Sequence, residues 1–150
     1  MENKLKFPNE LDLQKAIIET CKKEGGFGDK IQDKFVKGKC DIWLKLPENG
    51  PIVFIEVKIN ENVKEIVKPK FSIPQLEYME KLHEHGVATL AICFATRKII
   101  DRLVTYYRIC PPAELKRKWE TNNVITYSID QYLIYADLKY VIHRLREFYK

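Results

Sequence analysis

Two charges stand where the surrounding residues are oily. The segment Gly38-Lys39-Cys40-Asp41 brings an aspartate to the head of the apolar run Ile42-Trp43-Leu44, and a second apolar run from Ile52 closes on Glu56-Val57-Lys58-Ile59. Both parities of that second run are otherwise apolar, the pattern of a strand covered on both faces by helices. Strand alternation sets Glu56 and Lys58 on one face with Ile52 and Phe54, and Val53, Ile55, Val57 and Ile59 on the other. A partly buried carboxylate is costly unless a cation or good hydrogen-bond donors compensate it. A divalent metal shared by Glu56 and Asp41 is one compensation.

The ordered set extends beyond these three residues. An aspartate, a hairpin-length separation and Glu-x-Lys at the end of a hydrophobic strand resemble the PD-(D/E)xK nuclease signature, and more closely the virus-type replication-repair nuclease (VRR-NUC) family. That family's early-helix Glu falls on Glu10, its Gly-x-Pro-Asp aspartate on Asp41, its Glu-x-Lys strand on Glu56 and Lys58, and its later helical Gln on Gln75 in Ser72-Ile73-Pro74-Gln75. Cys40 stands where the family usually has Pro. The likeness runs from about residue 9 to about residue 97. It implies an α/β fold with a mixed central β-sheet flanked by helices and a restriction-endonuclease-like core. It also implies a metal-dependent DNA endonuclease of replication, recombination or repair, with Holliday junctions or other branched DNA as substrate, and the family name hints at a phage source.

Hydrolysing a phosphodiester requires a water deprotonated near neutral pH and stabilised charge on the phosphoryl oxygens, both within the reach of a bound divalent ion. Mg²⁺ keeps several waters and is usually held through one or two carboxylates, so Asp41, Glu56 and the carbonyl of Val57 form a ligand set, with Mn²⁺ as substitute. Lys58 suits the attacking water or the scissile phosphate as a point charge. Glu10, near the apolar face of the first helix, could bind water on the metal or a second ion.

Each residue also has a plainer reading. Glu56 and Lys58 could be a same-face ion pair, and Asp41 a turn residue after Gly38. Glu10 complements the dipole of the first helix. Gln75 completes a capping box with Ser72. Rival functions are a nuclease on linear or single-stranded DNA and a catalytically silent nucleic-acid-binding module; retention of Asp41, Glu56 and Lys58 together disfavours the silent module.

The chain has 150 residues, 45% of them hydrophobic, a length for a single domain with its own core. Within it a nuclease core of about 9–97 is followed by an extension of about 98–150. No apolar run of about eighteen residues and no signal-like start are present, so an intracellular, cytoplasmic protein is expected. Cys21, Cys40, Cys93 and Cys110 are widely spaced and read as reduced core thiols. The net charge of +5 is modest evidence for a polyanionic partner. Its distribution says more, because Lys37 and Lys39 precede Asp41, and Lys64, Lys68 and Lys70 follow Lys58 in what reads as a mobile basic loop able to meet DNA phosphates. Arg97-Lys98 with Arg102 and Lys116-Arg117-Lys118 are further basic clusters.

The elements that must position these groups follow from caps and periodicity. A first helix starts near Asn9 and stops at Gly25-Gly26. A glycine-containing loop leads to strand one at Phe35-Val36, strand two from Asp41 to Leu46, a turn over 47–51 and the central strand Ile52–Ile59, an antiparallel meander. Ser72 caps a helix ending at Gly86, and Val87–Phe94 reads as a buried strand parallel to the central one. Residues 99–108 fit helix or strand. Pro111-Pro112 starts a short basic helix, Val124–Ile129 reads as a strand, and Asp130 caps a last helix through Phe148. Tyr132, Tyr135, Tyr140 and Tyr149 give that helix a wide aromatic surface, a face for packing on the sheet or for a homodimer.

Overall fold

The computed structural model describes residues 9–32 and 38–150. Asn9 starts helix α1 (Glu10–Lys23), its side chain accepting from the Asp12 amide. The sheet strands are β1 (Phe27–Lys30), β2 (Ile42–Lys45), β3 (Ile52–Asn60), β5 (Thr89–Ile99), β6 (Arg102–Cys110) and β8 (Leu133–Ile134), in the order β1-β2-β3-β5-β6-β8. A separate small ribbon pairs β4 (Ile66–Val67) with β7 (Tyr127–Ser128). The remaining helices are α2 (Ile73–Glu84), α3 (Pro112–Asn122) and α4 (Leu138–Phe148).

β3 and β5 run parallel, joined by the crossover through α2; the other strand pairs are antiparallel. The expected mixed sheet flanked by helices is therefore present. On one side α1 packs with α4, and Leu13, Ile17, Val141, Ile142 and Leu145 meet Ile42, Val53, Ile55, Val57, Ile92 and Phe94. Fully burying one such Leu or Ile contributes about 1.5–3 kcal/mol. On the other side α2 packs with α3 over Cys40, Ala91, Cys93, Ala95 and Cys110, with Met79, Leu115, Tyr127 and Tyr132 filling the space.

Several expectations are corrected. The strand expected at Phe35-Val36 lies outside the described residues; the strand that pairs with β2 is β1, in the stretch read as a loop. Of the two readings left open for 99–108, strand is the one present, and β5 with β6 forms one long hairpin. The segment after β3 is tied down rather than loose: Val67 is buried, β4 pairs with β7, and Asn60 Nδ2 donates to the Lys68 carbonyl. Asp130 lies in a 3-10 turn, and the last helix begins only after Asp137, whose side chain accepts from the Tyr140 amide. Tyr132 and Tyr135 precede it and are buried. Their order along the chain mimics helical spacing, yet both are core residues; Tyr140 alone of the four is well exposed. Among the described residues no helix is long and apolar enough to cross a membrane.

Candidate active site

The site begins where two strands part. β2 pairs with β3 as far as Ile42 opposite Ile55, and the Asp41 amide still donates to the Ile55 carbonyl. Beyond that point the β3 edge has lost its neighbour, and backbone amides left unpaired in an interior are costly. Carboxylates take the vacated places. Asp41 Oδ2 accepts from the Val57 amide at 2.8 Å, and Glu10 Oε1, from the first turn of α1, accepts from the Ile59 amide at 3.3 Å. Asp41 is thus a strand-entry residue, and Glu10 reaches the site strand besides complementing its helix.

Glu56 points to the other face, toward α2, and is only 1% exposed. Gln75 Nε2 donates to Glu56 Oε1 at 3.0 Å, and Lys58 Nζ lies 3.7 Å from the same oxygen. Glu56 Oε2 is buried and receives no hydrogen bond from any donor group. Burial, then the negative charge of neighbouring Asp41 and a hydrogen bond shared with its carboxylate, push the Glu56 carboxyl up to about 9, against the smaller opposing pull of Lys58. Lys58 is itself shielded, donating to Gln75 Oε1 at 3.0 Å and lying 5.2 Å from the centre of the Phe71 ring.

Gln75 serves two structures at once. Its Oε1 also accepts from the Ser72 amide at 2.9 Å while Ser72 Oγ accepts from the Gln75 amide, so the capping box and the site contact are both real. Gly38 makes this possible. Its φ is +84°, and a Cβ there would stand 2.4 Å from the Pro74 carbonyl oxygen and 2.8 Å from the Gln75 nitrogen. The segment leading to Asp41 is therefore pressed against the start of α2 at a point only glycine fits. Opposite the site, Glu56, Lys58 and Asn60 lie in register with Ala91, Cys93 and Ala95. These small side chains leave room for long polar ones on that face.

The structure thus brings Glu10, Asp41, Glu56, Lys58 and Gln75 around one end of β3. Sequence reasoning missed Phe71, the close packing of Gly38 and the row of small residues; only the Gly38-to-Asp41 spacing hinted at any of them. Of the expected DNA-binding lysines, Lys64, Lys68 and Lys70 are exposed, Lys39 is half-buried beside Asp41, and Lys37 lies outside the described residues. Among the described residues no three His, Cys, Asp or Glu side chains converge as a ready ligand cluster. Two carboxylates with water suffice for Mg²⁺, however. The orphaned Glu56 Oε2 and the repulsion between Glu56 and Asp41 are what a bound cation would relieve, so the residues fit such an ion.

No family model and no curated protein sequence matches the chain. Among solved structures, a Holliday junction resolvase (Hjc) from the archaeal hyperthermophile Archaeoglobus fulgidus superposes with a TM-score of 0.54 at 15% identity, covering 86% of this chain and 96% of that one. A VRR_NUC domain is 29% identical over 55% of this chain and 81% of its own, with a TM-score of 0.42, an overlap too small to argue from. The chain has the restriction-endonuclease-like fold, in common with that resolvase.

Proposed function

We propose that this protein is a metal-dependent DNA endonuclease that hydrolyses phosphodiester bonds in branched DNA, Holliday junctions foremost, during recombination or repair inside the cell. The observation that carries the reading is the buried Glu56 carboxyl held against Asp41, with one oxygen that receives no hydrogen bond, at the end of a strand that also presents Lys58. The branched substrate rests on the fold shared with the archaeal resolvase.

Asp41, Glu56 and the Val57 carbonyl would hold Mg²⁺, with Mn²⁺ as substitute. When bound, the ion supplies the positive charge that acidifies a water and neutralises phosphoryl oxygens. The protein's own residues do the rest. Lys58 presents its ammonium to the scissile phosphate or the attacking water, fixed in direction by Gln75 and Phe71. Gln75 holds Glu56 Oε1 and so fixes the direction of the carboxyl. Glu10 anchors the β3 backbone at Ile59 and keeps the strand end from drifting. Lys39, Lys64, Lys68 and Lys70 supply charge for the DNA backbone, as does Lys37 from the sequence. Each chain has one such site, so a twofold homodimer is the simplest way to cut two strands.

The test is incubation with four-way junction, flap, nicked, linear duplex and single-stranded DNA, with and without Mg²⁺ or Mn²⁺, for the wild type and Asp41→Asn. Cation-dependent cutting of branched DNA by the wild type, and its absence in Asp41→Asn despite retained folding, is the expected result. Equal cutting by the two proteins would remove Asp41 from the site.

A further inference from the structure

The β5–β6 hairpin outgrows the sheet. Asn60 is the last β3 residue to pair with β5, opposite Ala95, and the Val63 amide reaches Thr96. From Arg97 to Val104 the two strands pair only with each other, forming an arm that leaves the sheet at the same end as the candidate site.

The tip of the arm has an unexpected residue. Ile100 is 89% exposed, more than any other large hydrophobic among the described residues, and Ile99 beside it is 39% exposed. Ile100 also has a φ of +56°. A two-residue hairpin turn with positive φ at its first position selects glycine, and a β-branched residue there is strained. The other non-glycine residues at positive φ among the described residues are Glu48, Asn49, Asn62 and Asn123. Neither burial nor turn geometry accounts for an isoleucine at this point. Strain kept without a folding reason points to a use.

The arm's flanks suggest which use. Arg97, Lys98 and Arg102 surround the tip against one carboxylate, Asp101. At the arm's base an open cleft is lined by Arg97 and Lys98 on one side and Lys64, Glu65 and Lys68 on the other. The cleft therefore runs between the arm and the segment leaving β3. An apolar tip on a cationic arm fits an occupant with an anionic rim and an apolar interior that can be opened, which is stacked DNA.

We propose that this hairpin is a DNA wedge: Ile100 enters a weakened base step while Arg97, Lys98 and Arg102 hold the flanking phosphates. The inference rests on the nuclease reading and deepens it, because a wedge favours branch points, where stacking is already interrupted. Ile100 stands seven residues along β5 from Cys93, the register partner of Lys58. At about 3.3 Å per residue this is roughly 23 Å, or about seven base steps between the opened step and the cut.

The experiment uses four-way junction DNA carrying 2-aminopurine at the branch point, with the Asp41→Asn protein so that the DNA is bound uncut. Saturating protein should raise the fluorescence about threefold as the base unstacks. Adding Ile100→Gly should abolish the rise while the melting temperature stays level or increases, since glycine suits this φ. Ile100→Leu should restore the rise. In the wild-type background, Ile100→Gly should slow junction cutting about tenfold. An undiminished rise with Ile100→Gly, or junction cutting by the wild type with no rise in Asp41→Asn, would overturn the wedge and leave the nuclease standing. Failure of the wild-type protein to bind or cut any of the DNA forms would overturn the nuclease reading and the wedge with it.

Discussion

The two faces of the sheet are built to opposite rules. Under α1 and α4 the β3 residues are Val53, Ile55 and Val57, packed in a cluster of Leu, Ile, Val and aromatic side chains. Under α2 and α3 the same strand presents Phe54, Glu56 and Lys58, against a lining of cysteines, alanines and tyrosines. One face minimises free energy by filling space. The other keeps a carboxyl crowded against a second one and far from its ordinary acidity, with one oxygen that receives no hydrogen bond. A single strand thus separates the part of the molecule that stabilises it from the part that has been left uncomfortable, which is where sites are expected.

The contrast can be broken most sharply at Glu56. Glu56→Gln should lower cleavage at least about a thousandfold, the scale of losing a group that organises transition-state charge. Its effect on stability should have the opposite sign. The folded-state carboxyl sits at about 9 and its ordinary value is near 4.5. Between those values the folded protein binds the extra proton, so metal-free stability is full below about pH 4.5 and falls as pH rises toward 9. Glu56→Gln removes that slope, which is at most about 1.4 kcal/mol per pH unit. Urea unfolding in chelator at pH 5 and pH 8 checks it: the variant should gain on the wild type as pH rises. A variant less stable than the wild type at pH 8 would mean the carboxylate is compensated in a way the structure does not show.

The aliphatic face should respond in the ordinary direction. Ile17→Ala, at a fully buried position, should cost about 2–5 kcal/mol in urea midpoint analysis while leaving kcat of the remaining folded enzyme near wild type. Gly38→Ala tests the seam between the faces and the site. A side chain there meets the Pro74 and Gln75 backbone and adopts a strained φ. The cost should be about 1–3 kcal/mol, with cleavage falling by more than the stability loss explains, measured well below the melting temperature. The smallest effect is at the rim. Changing Lys64, Lys68 and Lys70 together to Ala should weaken binding about equally for all sequences and reduce the log–log salt slope by roughly 0.9 for each phosphate no longer neutralised. An unchanged slope would leave these lysines as solvated charges.

Much of the polar face was readable in the sequence, because a charge inside an apolar run is a local anomaly. Glu56, Lys58 and Asp41 announce themselves that way, and the parallel β3–β5 pair follows from the lengths of strand, helix and strand. β1 did not, since Phe27-Gly28-Asp29-Lys30 has neither alternation nor β-branched residues and holds its place by pairing with β2. The stretch from Asp130 to Asp137 misled for another reason. Both aspartates can start a helix, and Tyr132 and Tyr135 are spaced for one, so only their burial against the core decides for the second start. The small residues facing the site were invisible because register is a tertiary property: Ala91 means nothing until it stands beside Glu56.

One amide proton reports on all of this. Gln75 Oε1 is shared between the Lys58 ammonium and the backbone N–H of Ser72. Anything that draws Lys58 or Gln75 away, a phosphate arriving at the ammonium included, changes the hydrogen bond that protects Ser72 from solvent exchange. The deuterium uptake of a single residue at the head of α2 can therefore time the occupancy of the site from outside it, without a label on the DNA and without a turnover.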